Sequence, residues 1–397
     1  MSGIKNRKDE FDLTDLGFLP ISNEVECSGF EEWERLATTI LEMEQTKVRK
    51  TIEKLEPISS DIISNLDLSG HKKLYTILSI LSSSYVWSEP LNPPDYLPHL
   101  LSIPLCAAAN ELGIQPILTH TSVDLLNWKL KDPSREFELD NLQCLYLMTG
   151  TPSEEWFYLI MVAIEGEGGK IIDSILKIEE RMGQNQIEEV TDFLDDIAQS
   201  MEKIIQILSR LPERCDPRVF WTVLRPYLSG WVNDRFNGLL YEGVSESPMM
   251  LTGGSAAQSS LFPTIDAAFG IEHSDQYFQR IQSYMLRSHR EFIRYVKDNI
   301  DIKSYVIQSN SVELIQKFDR VVELVTTFRA RHRGIVYRYV ISNSKDSIDS
   351  IRSDQIESNP NVSEADDGVN KGKGTGGTDL KTFLSKSIEE TRMARIR

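Results

Sequence analysis

Residues 311–341 read SVELIQKFDRVVELVTTFRARHRGIVYRYVI. Apolar side chains fall at Leu314, Ile315, Phe318, Val321, Val322, Val325, Phe328, Ile335, Val336 and Tyr339, in steps of three and four. That spacing keeps them on one face of a 3.6-residue period and predicts a single long helix. His332 lies on the same stripe, between Phe328 and Ile335. An imidazole facing a core is either a hydrogen-bonded core group or a metal ligand, and periodicity alone favours the first. Arg329, Arg331 and Arg333 crowd the same turn, and cations beside a buried ring call for an anionic partner.

The chain around this helix has 397 residues, 40% of them hydrophobic and 26% charged, as in a soluble globular protein with a sizeable core. Its net charge of −17 argues against nucleic acid, whose binding rests on Lys and Arg neutralising phosphates, and against an anionic membrane surface. Cys27, Cys106, Cys144 and Cys215 are far apart with no CxxC spacing, as expected of free thiols in a reducing compartment. The start, MSGIKNRKDEFDL, has no apolar segment of a secretory signal, and no run approaches the ~20 apolar residues of a membrane helix. A soluble, cytoplasmic location is expected.

The expected fold class is all-α, with a smaller N-terminal helical domain over 1–115, a connector over 116–147 and a larger helical domain over 148–397. In the first part, residues 1–27 read as an irregular lead-in, and 29–55, 59–66 and 71–87 as amphipathic helices, the last two separated by a turn at Ser69-Gly70. The prolines Pro90, Pro93, Pro94, Pro98 and Pro104 cannot continue a helix, so the next short helix is placed at Leu105–Leu112, with Gly113 as its C-cap. The connector is expected to turn at Lys131-Asp132-Pro133-Ser134 and to contain helical pieces.

The third part opens with Thr151-Pro152-Ser153-Glu154, a capping box with proline at the first helical position, followed by the almost wholly apolar EWFYLIMVAIE. Gly166, Gly168 and Gly169 come next; either close packing against another body or a helix break accounts for them. An amphipathic helix follows over 187–211. Pro226 interrupts VFWTVLRPYLSGW, leaving Arg225 at a helix irregularity, either turned outward or held inside for an anion. Residues 253–260 are small apart from Gln258 and would let backbone approach a flat ligand. Residues 342–373, rich in Ser, Asp and Asn, are expected to be disordered, with a last helix from about Asp379.

The six histidines form no HExxH or Cys/His zinc spacing, and there is no P-loop, GxGxxG, GxSxG or CxxCH motif. What remains is a helical protein with an arginine-flanked histidine, a small-residue stretch and a glycine-threonine loop. A non-covalent haem unites them, because its iron needs an axial ligand, its propionates need cations and its face needs close backbone.

The motifs GGSAAQSSLFPTIDAAFGI, FRARHRGIVYRYV and KGTGGTDLKTFL, with FWTVLRPYLSGW, QPILTHTSVDLLNW and LPHLLSIPLC upstream, resemble the indoleamine 2,3-dioxygenase family in order and spacing over about residues 90–390. The resemblance implies a haem b (iron protoporphyrin IX) enzyme that uses O2 to convert L-tryptophan to N-formylkynurenine. It also implies entry to the kynurenine route that feeds NAD synthesis, an electron donor that keeps the iron ferrous, and a monomer. By the same resemblance His332 is the proximal ligand, Arg329 meets a propionate with Asp266, and Gly254, Ser255 and Ala256 lie beside haem and substrate. Phe220 and Arg225 belong to the distal pocket, the arginine taking the substrate carboxylate. Phe157 stacks near the indole and Thr375 lies in a closing loop. His120, Val123 and Asp124 fall in the connector that floors the indole pocket. Met161 stands where the family commonly has a small or polar residue, and His120 and Asp124 replace residues commonly aromatic and aliphatic. A weakly catalytic or non-catalytic haem-binding protein of the same fold is the alternative.

Overall fold

A computed structural model describes residues 2–233, 236–343 and 380–397. The chain folds as packed α-helices with a few two-stranded ribbons, which bears out the all-α expectation. The helix Val312–Val336 begins at Ser311, whose side chain accepts from the Leu314 amide, and it buries Leu314, Phe318, Val321, Val322, Val325 and Phe328. It packs on the helix Ile187–Ser209, which packs in turn on Pro152–Gly183. The C-terminal helix Leu380–Arg392 also packs on Val312–Val336.

The Pro152–Gly183 helix runs unbroken through its glycines, so close packing accounts for them. A Cβ at Gly166 would lie 2.2 Å from Phe137, at Gly168 2.5 Å from Leu261, and at Gly169 2.5 Å from the Gly17 backbone. Each glycine thus admits a different neighbour to the helix surface. The cap at Thr151 is half of a capping box. Its hydroxyl accepts from the Glu154 amide, while the Glu154 carboxylate reaches back to the amides of Met148, Thr149 and Gly150.

Several local expectations are corrected. Ser2–Glu10 is helical, and Phe11, Leu13, Phe18 and Leu19 beyond it are buried, so the lead-in is part of the core. The 29–55 helix is two, Glu31–Thr39 and Gln45–Ile52. Asp67 caps a helix over Leu68–Trp87 by accepting from the Gly70 amide, which places Ser69-Gly70 in a first turn rather than between helices. His99–Leu112 is one helix with Pro104 inside it, ended by Gly113 at φ 63°. An interior proline costs about 3 kcal/mol. Burial of Leu101, Leu105 and Leu112 offsets that, at about 1.5–3 kcal/mol for each large apolar side chain. In the connector, Trp128–Leu130 pairs antiparallel with Leu142–Cys144, Trp128 opposite Cys144. Ser342 and Asn343 continue the helix rather than beginning a loop, and residues 344–379 lie outside the described residues.

Three π-turns, Thr121–Leu125, Phe220–Leu224 and Tyr337–Ile341, occur among the described residues. The wider turn re-aims side chains and recurs at functional sites. All three lie next to the same cavity.

Candidate active site

That cavity has a volume of about 260 Å³ and lies between the long helices, the connector and the C-terminal helix. His332, Arg329, Asp266, Gly254, Ser255, Ala256, Arg225, Phe220 and Phe157 all line it, although they come from distant parts of the sequence. Thr375 lies outside the described residues. His120 and Met161 are also on the wall, whereas Val123 and Asp124 are buried behind it.

His332 is not a satisfied core histidine. Its ring is half-buried, lies parallel to Phe328 with centroids 6.3 Å apart, and makes no side-chain hydrogen bond among the described residues. Burial and the neighbouring Arg329 hold its pKa down at about 4. The imidazole is therefore neutral near pH 7 and keeps a lone pair, the form a metal requires.

Three residues along the same helix, Arg329 donates through Nη2 to both oxygens of Asp266, at 2.8 and 2.7 Å, and through Nη1 to the Thr391 hydroxyl. Asp266 also meets His273 Nε2 at 3.1 Å, and His273 Nδ1 meets Glu390 at 2.8 Å. Burial opposes the charged form of His273, but the carboxylates outweigh it and its pKa is raised. The anion that the arginine-rich turn called for is thus Asp266, within a network that ties the C-terminal helix to the cavity. The sequence reading missed this helix as a wall. Its stripe Leu380, Phe383, Leu384 and Ser387, all on the cavity, carried the signal in its three- and four-residue steps.

Arg225 follows the Phe220–Leu224 π-turn, its amide donating to the Phe220 carbonyl at 2.8 Å. Its guanidinium lies 4.7 Å from the centre of the Trp221 ring and faces the cavity. Burial lowers its pKa to about 10, which still leaves it charged at neutral pH. Phe220 packs between Phe157 and Tyr339, with ring centroids at 5.0 and 5.7 Å. These aromatic walls beside a cation suit an aromatic amino acid, ring against ring and carboxylate to guanidinium.

The small-residue stretch divides its work. A Cβ at Gly253 would lie 2.1 Å from the Leu228 carbonyl and 2.4 Å from the Gly230 amide, so this glycine serves chain packing. A Cβ at Gly254 would meet nothing closer than Leu118, at 3.6 Å, so this residue adds open wall to the cavity. Gln258 fixes the stretch: its side chain accepts from the His120 amide at 2.9 Å and donates to the Gly253 carbonyl at 2.9 Å. A neutral imidazole, an arginine on the wall and a stretch of glycine and small residues fit the ligand, propionate partner and face that a haem needs.

Beside this stretch, His120 is buried between two carboxylates. Nε2 lies 2.9 Å from Glu165 Oε1 and Nδ1 lies 2.6 Å from Asp124 Oδ2. Burial opposes protonation, but Asp124 and Glu165 outweigh it and the His120 pKa stands at about 10. Burial raises that of Asp124, with His120 opposing.

The family model described as "Indoleamine 2,3-dioxygenase" matches residues 7–394. Indoleamine 2,3-dioxygenase 1 of Mus musculus is 30% identical over 361 residues, spanning 88% of this chain and 85% of that protein. The indoleamine 2,3-dioxygenase of Saccharomyces cerevisiae is 30% identical over 405 residues, 94% of this chain and 89% of its own. A Haliotis madaka protein named myoglobin is 27% identical over 345 residues, 83% of this chain and 88% of its own.

Proposed function

The chain belongs to the indoleamine 2,3-dioxygenase family and is a dioxygenase, and from that premise we propose that it converts L-tryptophan to N-formylkynurenine with haem b. The observation that carries this reading is the gathering of His332, the Arg329–Asp266 pair, Arg225 and the Gly254–Ala256 backbone on one cavity.

In this reading His332 holds the iron, and Arg329, steadied by Asp266, faces a propionate. A bound ferrous haem supplies O2 activation. The reaction breaks the indole C2–C3 bond and leaves one oxygen atom on each carbon, so O2 itself is the oxidant and the electron donor serves only to keep iron ferrous. The chain orients the substrate: Arg225 takes the carboxylate, and Phe157 and Phe220 confine the ring. Proximity and orientation of this kind suffice where the cofactor carries the chemistry. Cytoplasmic tryptophan catabolism toward NAD, by a monomer, completes the reading.

Haem-loaded protein given L-tryptophan, reductant and O2 should form the N-formylkynurenine chromophore; absence of product at full haem occupancy would refute the activity. That outcome would favour a second reading, a haem protein that binds without turnover. Met161 on the cavity wall, which offers no protic group, and the relative named myoglobin support it.

A further inference from the structure

The C-terminal helix Leu380–Arg392 supplies Leu380, Phe383, Leu384 and Ser387 to the cavity wall, yet it is fastened more narrowly than the long helices opposite. Its main packing partner among the described residues is the helix Val312–Val336. Phe383 also meets Tyr277 and Phe278, with ring centroids at 5.2 and 5.0 Å, and those two rings line the cavity themselves. An element held by few contacts is the first to open locally.

The polar contacts that fasten this helix form a closed ring. Arg329 joins Asp266, Asp266 joins His273, and His273 joins Glu390 of the helix; Thr391, the next residue along, accepts from Arg329 and closes the circuit. Glu390 Oε1 also accepts from the amide and the hydroxyl of Ser274, at 3.2 and 2.6 Å. The Glu390 side chain is only 16% exposed and Thr391 is buried, so water competes little for these bonds. The helix is thus clamped at two consecutive residues, about one turn past Ser387, by a network that includes the Arg329–Asp266 pair on the cavity wall.

Resting on the reading of the cavity as a haem site, we infer that the helix Leu380–Arg392 is the gate through which haem enters and leaves, and that Glu390 and Thr391 are the latch that holds it shut. Opening this helix withdraws Leu380, Phe383 and Leu384 from the wall and leaves in place the long helices that carry His332 and Phe157. Because the latch shares Arg329 and Asp266 with the proposed propionate contact, closing the gate also orders the propionate partner.

The test reads gate opening and haem loss separately on the haem-loaded chain. Hydrogen exchange of the backbone amides of residues 384–392 measures opening, and transfer of haem to excess apomyoglobin measures loss. Removing one hydrogen bond to a charged group should raise the open population at least about tenfold. Glu390→Ala and Thr391→Val should therefore speed exchange and haem loss by matching factors of at least about tenfold, with the amides of Val312–Val336 as protected as before and the spectrum of the bound haem unchanged. Glu389→Ala is the control, since Glu389 is exposed and pairs with Arg392 of the same helix; both rates should stay those of wild type.

Faster exchange with unchanged haem loss would overturn the gate, and unchanged exchange would overturn the latch. If Glu390→Ala does not fold, Thr391→Val, which keeps the buried shape, decides alone. A chain that takes up no haem would remove the cofactor reading and this gate together, whereas a haem protein with equal loss rates in all variants would remove the gate alone.

Discussion

Arg329 and Asp266 form a forked pair: one guanidinium nitrogen reaches both carboxylate oxygens, at 2.8 and 2.7 Å, with both side chains about nine-tenths buried. Asp266 also meets His273, so Asp266→Ala would strand the Arg329 guanidinium and remove a partner of His273. Breaking one side of a buried pair costs about 3–5 kcal/mol. The variant should unfold at a clearly lower temperature and lose haem on gel filtration. An unchanged Tm would show that the pair contributes little.

Replacing His332 by alanine removes the imidazole on the cavity wall and should abolish haem retention or change its axial ligation. The visible spectrum of haem-reconstituted protein reports either result. A spectrum identical to wild type would exclude His332 as the ligand.

Arg225→Leu keeps the bulk beside Trp221 and removes the cation. A charge-assisted hydrogen bond is worth about 1.5–3 kcal/mol, so kcat/KM for L-tryptophan should fall roughly 10- to 100-fold with haem content unchanged. Unaltered kinetics would mean that the carboxylate binds elsewhere.

His120 predicts a pH dependence of stability. Its pKa in the folded protein, about 10, stands above the ordinary 6.5. The protonated form is thus favoured by folding, and its contribution is complete below pH 6.5 and lost as pH rises toward 10. The melting temperature should decline across that window, and His120→Gln should flatten the decline. An equally steep slope in the variant would assign the effect to other groups.

The glycines of the Pro152–Gly183 helix allow a paired test. Gly169→Ala places a methyl group 2.5–2.6 Å from the backbone of residues 15–17, which should destabilise by about 1–3 kcal/mol. A Cβ at Gly183 meets nothing within 4 Å, so Gly183→Ala should be neutral or gain up to about 1 kcal/mol. Denaturant unfolding of both variants measures the difference, and equal effects would show that the contact at Gly169 can relax.

Much of the architecture follows from patterns spanning a few residues. The stripe from Leu314 to Phe328, the cap at Thr151 and the helix stop at Gly113 were all readable, because periodicity and capping depend on near neighbours. The motif resemblance named His332, Arg329, Asp266, Gly254, Ser255, Ala256, Arg225, Phe220 and Phe157, and these line one cavity. Local signals also misled where burial opposed them: Pro104 lies inside a helix, and the polar lead-in is helical and leads into buried residues.

By itself, then, the amino-acid sequence determined the helical class, the faces of the long helices and the family. Only tertiary structure decided that the His332 ring stands at a cavity wall without a side-chain hydrogen bond among the described residues, and that the Arg329–Asp266 pair extends through His273 to Glu390. It likewise decided that the glycine run is a packing surface, and that His120 is clamped by Asp124 and Glu165. The physical reason is distance along the chain. Arg329 and Asp266 are 63 residues apart and His120 and Glu165 are 45 apart. No helical or strand period relates such positions; the packing of one helix on another sets both the contacts and the charges they stabilise.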